Sequence, residues 1–184
     1  RDSPFHGVDG PLHVTNLRVL NCLFEGNPTG IRMPSNATAD GITIDNTTFQ
    51  NQTGSGFNQA NDGSTGWVKN LTVTDSTFIN LGTTSGHAGV YAEEFSNVLI
   101  EGSTFTGNRY GINLFDAYSV ASSVTTNVII RDNTFTDHKA TAIAFRTGAF
   151  NVGVEGCVNV GGLAAAFVGF TFVSLSGFVL LPMA

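Results

Sequence analysis

Asn97-Val-Leu-Ile-Glu-Gly-Ser-Thr-Phe105 decides the fold, because the same plan recurs along the chain. It stands in Asn16-Leu-Arg-Val-Leu-Asn-Cys-Leu-Phe24 and in Gly41-Ile-Thr-Ile-Asp-Asn-Thr-Thr-Phe49. Asn70-Leu-Thr-Val-Thr-Asp-Ser-Thr-Phe78 and Asn127-Val-Ile-Ile-Arg-Asp-Asn-Thr-Phe135 repeat it again. In all five the Phe comes eight residues after the first position. A sixth copy opens at Asn151-Val-Gly-Val-Glu-Gly-Cys157 with Asn159 in place of the Phe, and successive starts lie 25, 29, 27, 30 and 24 residues apart. Apolar residues alternate within each copy, as Leu71 and Val73 do, which is the period of a strand with one buried face. A polar bend follows at Asn21, Asn46, Asp75 or Asp132, then a second short strand ending at the Phe.

Working outward, each copy is followed by a loop and a third short strand. These are Gly30-Ile31-Arg32-Met33, Gly89-Val90-Tyr91-Ala92, Gly111-Ile112-Asn113-Leu114 and Ala142-Ile143-Ala144-Phe145. Three short strands per repeat, with Gly and Asn at the bends, form one rung of an all-β parallel solenoid, and stacked rungs bury the apolar face that no rung buries alone. The expectation is about six rungs over residues 16–160, with residues 1–15 a cap or preceding partial rung. A leucine-rich repeat of similar period needs a Leu-x-x-Leu-x-Leu frame, and these rungs carry Thr, Val, Ile and Phe instead.

Composition agrees and narrows the function. The 184 residues carry a formal charge of −6 with only eight Lys and Arg, which excludes a nucleic-acid surface. Every charged residue lies at or before Glu155, so residues 161–184 form an apolar segment read as a covering coil, an anchor or a broken end. Its β-branched and aromatic run, Phe170-Thr-Phe-Val173, favours the coil over a membrane helix. A start at Arg1-Asp2-Ser3-Pro4, without Met, is expected of a mature form or an excised fragment. Cys22 and Cys157 share one offset five rungs apart, roughly 24 Å, so they are expected to be free and largely buried thiols. Sequons begin at Asn36, Asn46, Asn51 and Asn70, as an Asn- and Thr-rich solenoid generates by accident.

The recurring Asn-Val-x-Ile-x-x-x-x-Phe followed by Gly-Ile-x-Leu resembles the right-handed parallel β-helix repeat of the pectate-lyase-like superfamily, over roughly residues 16–160. The resemblance implies a right-handed coil and an extracellular or cell-surface protein. It also implies polysaccharide lyases, glycoside hydrolases, epimerases or adhesion proteins as the functional range.

No Cys-x-x-Cys, His-Glu-x-x-His, Gly-x-Ser-x-Gly or Gly-Lys-Ser string is present, so no cofactor is expected, with calcium left open but not indicated. Gly54-Ser-Gly-Phe-Asn58 resembles a calcium-binding nonapeptide only once and lacks its Asp. Aligning the rungs is more informative. The third strand points Arg32, Asn58, Tyr91, Asn113 and Ala144 outward in one column, and Pro34, Ala60, Glu93, Phe115 and Arg146 in the next. The loops before it supply His87, Arg109, Tyr110, His138 and Lys139, and its exit supplies Glu94 and Asp116. Sugars ask for this mixture of aromatic faces and planar polar groups.

A hydrolase would pair Glu93 or Glu94 with Asp116 as acid and base. A lyase on uronic-acid polymers would use Arg109, Lys139 or His87 as base and Arg146 to offset the substrate carboxylate. Tyr91, Asn113, His87, Phe115, Asn58 and Arg32 would hold the sugar in either case. The rival reading is a non-catalytic carbohydrate-binding or adhesin-like solenoid, or a piece of a longer surface protein, with the same columns spread flat. The insertions Gln59–Lys69 and Asp116–Thr126 are where binding loops are expected. A further outward column, Glu101–Arg131–Glu155, reads as an ion-pair ladder, and His6 and His13 fall before the first clear rung.

Overall fold

A computed structural model of the chain describes residues 6–60, 66–82, 86–115 and 127–146, with Arg146 described by its backbone only. They belong to the first of two compact units, Arg1–Gly153; the second, Val154–Ala184, lies outside the described residues, as do the expected sixth rung and apolar segment. Among the described residues there are sixteen strands and no helix long and apolar enough to cross a membrane.

A two-residue strand β1 (Val8–Asp9) opens the structure. Five passes then follow, each making a long strand, a three-residue strand and a third strand. They are β2 (His13–Leu20), β3 (Leu23–Glu25) and β4 (Ile31–Met33); then β5 (Thr38–Asp45), β6 (Thr48–Gln50) and β7 (Phe57–Gln59). Next come β8 (Trp67–Thr74), β9 (Thr77–Ile79) and β10 (Ala88–Glu93), then β11 (Phe95–Glu101), β12 (Thr104–Thr106) and β13 (Tyr110–Phe115). The last pass is β14 (Val128–Arg131), β15 (Thr134–Thr136) and β16 (Thr141–Arg146). Every pairing is parallel and links a strand to its counterpart one turn away. Sheet I runs β1-β4-β7-β10-β13-β16, sheet II β2-β5-β8-β11-β14 and sheet III β3-β6-β9-β12-β15. Four turns separate the first and last strands of each five-stranded sheet, so six rungs is slightly too many for what is described.

Local chemistry explains the corners. Three columns of left-handed residues run up the solenoid: Asn16, Gly41, Asn70, Asn97 and Asn127; Asn21, Asn46, Asp75, Gly102 and Asp132; Gly26, Asn51, Asn80, Gly107 and Asp137. Their φ values lie between 45° and 75°, and only Asn, Asp and Gly occupy them because these residues tolerate that region best. The first column lies within or beside the strands of sheet II, which therefore begin earlier than the sequence pattern suggests. For that reason Gln59 closes β7 and Trp67 to Lys69 open β8, which shrinks the expected Gln59–Lys69 insertion to residues 60–66. Side-chain amides bridge the turns, Asn127 Nδ2 donating to Asn97 Oδ1 at 3.0 Å and Asn97 Nδ2 to Asn70 Oδ1 at 3.1 Å.

The core is a stack of repeated positions. Phe24, Phe49, Phe78, Phe105 and Phe135 lie face to face with centroids 5.0, 4.9, 4.7 and 5.0 Å apart. Ile42, Leu71, Val98 and Val128 fill one column of sheet II, and Ile31, Phe57, Val90 and Ile112 one of sheet I. The one ion pair of the outward Glu101 column that is described joins Arg131 to Glu101 at 2.9 Å, while Glu155 lies outside the described residues.

Cys22 corrects an expectation. It is free, as read from the spacing, but exposed rather than buried. Its column continues as Thr47, Ser76 and Ser103, each buried and each accepting from the backbone N–H one turn below. Cys22 is the first member, in the outermost strand pair of that sheet, and its Sγ donates back to the Leu20 carbonyl at 3.2 Å. Cys157 lies outside the described residues.

Candidate functional site

Sheet I carries the columns that alignment of the rungs put side by side. Backbone register pairs Arg32 with Asn58, Asn58 with Tyr91, Tyr91 with Asn113, and Asn113 with Ala144. The next outward column pairs Glu93 with Phe115 and Phe115 with Arg146. Neighbouring strands stand about 4.8 Å apart and alternate residues of one strand about 6.7 Å, so Tyr91, Glu93, Asn113 and Phe115 form a compact two-by-two patch. Aromatic rings occupy one diagonal, Tyr91 and Phe115, and polar groups the other, Glu93 and Asn113.

The patch is bonded within itself and anchored from below. The Tyr91 hydroxyl donates to Glu93 Oε1 along the same strand. The Glu93 backbone N–H donates to Gln59 Oε1 at 3.1 Å from the previous turn. Gln59 is fully buried in an inner column whose neighbours are Met33 and Ala92. Sequence reasoning passed over Gln59; its signal is a polar residue at an otherwise apolar inner position. Although they alternate outward, Glu93 and Asn113 are each only 7% exposed. Asn113 Oδ1 is buried without a hydrogen-bond partner.

Glu94 joins β10 directly to β11 and is fully buried. Its φ of 52° makes it the one left-handed non-glycine residue among those described that is neither Asn nor Asp. Its N–H donates to the Phe115 carbonyl at 3.2 Å, and its carbonyl accepts from Val68 at 2.9 Å, so the turn is tied to both neighbouring rungs. The corresponding connections one turn either side are longer, residues 60–66 and 116–127. Asp116 lies outside the described residues, as does the side chain of Arg146.

The cationic residues gather elsewhere. The Ala88–Tyr110 pairing places His87 beside Arg109 by register, and a Cβ on Gly82 would lie 2.9 Å from His87 Cβ and 3.3 Å from Arg109 Cβ. Lys139 is exposed, its N–H donating to the Asn108 carbonyl, and the Arg109 guanidinium carbon lies 5.7 Å from the Tyr110 ring centroid. This corner sits at the N-terminal end of the sheet I strands, whereas Glu93, Phe115 and Arg146 stand at the C-terminal end, roughly 20 Å away along the backbone. The structure therefore does not bring Arg109, Lys139 or His87 together with Arg146, as the lyase arrangement requires. Arg32 is engaged by Asp9 at 3.3 Å at the far edge. Among the described residues no group of three or more His, Cys, Asp or Glu is placed to hold a metal ion.

Both histidines of the corner are held below their ordinary value of 6.5. Loss of hydration lowers His87; the same effect lowers His138 against the Asn108 carbonyl bond and the Asp137 charge, which raise it. The unfolded chain thus takes up these protons first as pH falls below 6.5, and stability declines from there down to the folded values. We expect the urea midpoint to drop between pH 7.5 and 5. In the double variant His87→Gln, His138→Gln the drop should be smaller, and an equal drop would contradict the assignment.

Stacked parallel strands, three sheets and a repeat of Phe and Asn columns define the class, a parallel β-solenoid. Compared with known families, residues 9–171 match the right handed beta helix region, and the chain belongs to that family. Comparisons with curated proteins and with solved structures give no match.

Proposed function

We propose that the chain is an extracellular or cell-surface protein that binds polysaccharide on the outer face of sheet I. The patch of Tyr91, Glu93, Asn113 and Phe115 is the contact. One observation carries this reading: two half-exposed aromatic side chains, Tyr91 and Phe115, stand on one diagonal of a sugar-sized area whose other diagonal is polar. Aromatic rings suit the C–H faces of a pyranose, and planar polar groups suit its hydroxyls. The surface is uncharged along Asn58, Tyr91 and Asn113, which fits a long neutral contact better than a catalytic cluster. Binding is favoured over elimination because the cations that a lyase needs stand at opposite ends of the sheet.

The test is a panel of neutral and uronic-acid polysaccharides, scored for retention, for new reducing ends and for unsaturated products. We expect retention of at least one polymer without cleavage, weakened about tenfold or more in Tyr91→Ala and in Phe115→Ala. Reducing ends that disappear in Glu93→Gln would replace binding with hydrolysis. Unsaturated products would restore elimination, and no retention of any polymer would end the proposal.

A further inference from the structure

Three of the four sequon asparagines, Asn46, Asn51 and Asn70, stand in the left-handed corner columns, and one of them is held differently from the others. All three are exposed. Asn46 Nδ2 donates to Asn21 Oδ1 at 2.8 Å, and Asn70 Nδ2 donates to Asp40 Oδ1 at 2.6 Å, each bridging to the previous turn. Asn51 has Gly26 in that place, which offers no side-chain acceptor. The Asn51 Oδ1 accepts from Asn80 Nδ2 at 3.4 Å, while its own Nδ2 has no hydrogen-bond partner among the described residues.

The rest of each sequon separates them further. Thr48 lies in β6, and Leu71 and Thr72 lie in β8, all paired to strands on both sides. Residues 51–53 instead belong to the connection between β6 and β7, where Thr53 is exposed. Gln52 between them is 1% exposed, and both its Oε1 and its Nε2 are buried without a hydrogen-bond partner. Asn108, at the same corner two turns on, has both amide atoms bonded, one to the Leu81 N–H and one to the Phe78 carbonyl. Swinging Gln52 out to water satisfies two polar groups that the closed corner leaves unpaired, so local opening here recovers part of its own cost.

We infer that Asn51 is the acceptor of an N-linked glycan, modified in preference to Asn46 and Asn70. This rests on the extracellular reading above, because such a glycan is added to secreted chains. The step is a substitution at the anomeric carbon of a lipid diphosphate-linked oligosaccharide. Asn51 Nδ2 forms the new C–N bond, the C–O bond to the diphosphate breaks, and the lipid diphosphate leaves with that electron pair. One amide proton passes to a base of the transferase. The Asn51 Oδ1 still accepts from Asn80 afterwards, so the corner closes as before. At Asn46 or Asn70 the sugar would have to share a gap of about 4.8 Å between turns with the side chain already bonded there.

The experiment secretes the full chain from a eukaryotic host behind a cleavable leader, as wild type, Gln52→Leu and Thr53→Ala, with thermal midpoints recorded to establish folding. Glycans are released by an amidase in heavy-oxygen water, which marks each occupied Asn as a labelled Asp, and occupancy is read by peptide mapping. We expect Asn51 to be occupied at least about tenfold more than Asn46 or Asn70, the factor that one retained hydrogen bond supplies. Thr53→Ala should abolish the Asn51 signal. Gln52→Leu, which removes both unpaired groups, should raise the thermal midpoint and lower occupancy at Asn51. A folded, secreted wild type that is bare at Asn51 overturns the inference and leaves the extracellular reading standing. Equal occupancy at Asn46 or Asn70 overturns the selection. Unchanged occupancy in Gln52→Leu overturns the part played by corner opening. A chain that folds but stays inside the cell overturns the extracellular reading and the inference together.

Discussion

Phe78→Ala should lower the free energy of unfolding by about 3–5 kcal/mol, the usual range for truncating a fully buried Phe. Phe78 is the middle ring of five, with centroids 4.9 Å from Phe49 and 4.7 Å from Phe105 and planes within 8° of parallel. Removing it deletes two stacking contacts and leaves a gap that neighbours pinned by parallel backbone pairing cannot close. Because each rung touches only the rungs beside it, the gap also weakens the coupling between the two halves of the solenoid. Phe24→Ala should cost less, since Phe24 is half-buried and, among the described residues, stacks on Phe49 alone. Denaturant titration followed by circular dichroism measures both. A loss below about 1 kcal/mol for Phe78→Ala would mean that the stack is not the core.

Gly89→Ala should destabilise by about 2–3 kcal/mol, at the upper end of the overpacking range. The sign is opposite to the ordinary expectation, because replacing Gly by Ala in a strand normally helps by reducing the freedom of the unfolded chain. Here a Cβ would lie 2.7 Å from the Gly111 carbonyl oxygen and 2.7 Å from Phe105 Cδ1. The first is backbone and cannot turn away. Gly56 has the same relation to Phe78, and Gly111 meets Phe135 in the same way. A glycine column thus makes room for the Phe of the following turn. Combining Gly89→Ala with Phe105→Leu should recover part of the loss, since the two changes share one contact. Additive losses in the double variant would contradict this pairing.

Much of the fold was legible because a solenoid repeats its physics. One Phe at a constant offset yields one ring stack, and one bend residue per rung yields a column that only Asn, Asp or Gly can fill. The glycine column shows the same logic: it holds Ala142 at the turn whose next Phe position in the sequence is Asn159. The lateral neighbours Tyr91–Asn113 and Glu93–Phe115 were readable for the same reason, as a constant register turns sequence offsets into contacts.

What stayed hidden depends on individual positions rather than on the repeat. Cys22 has the offset of a buried residue, but it stands in the first rung of its sheet, where no described strand covers it. Gln59 looks like any polar residue until its inner column is known. Glu94 gives no sign in the sequence that it occupies a left-handed turn, since the rule that reads Asn and Asp as turn residues passes over Glu. The burial of Glu93 and Asn113 on a face that alternation marks as outward is likewise not a property of spacing. The cations misled for a related reason. Rung alignment gathered Arg109, Lys139 and Arg146 on one side of the solenoid, but their separation along the strands divides them.

The central claim is that the outer face of sheet I is where this chain meets a glycan. Chemical-shift mapping of the isotope-labelled chain, titrated with an oligosaccharide of the polymer it retains best, tests this most directly. The account predicts that the largest shifts fall on Tyr91, Glu93, Asn113 and Phe115, with Thr43 and Thr72 of sheet II and Thr77 and Thr104 of sheet III unmoved. Shifts centred on sheet II or sheet III, with Tyr91 and Asn113 unchanged, would contradict it.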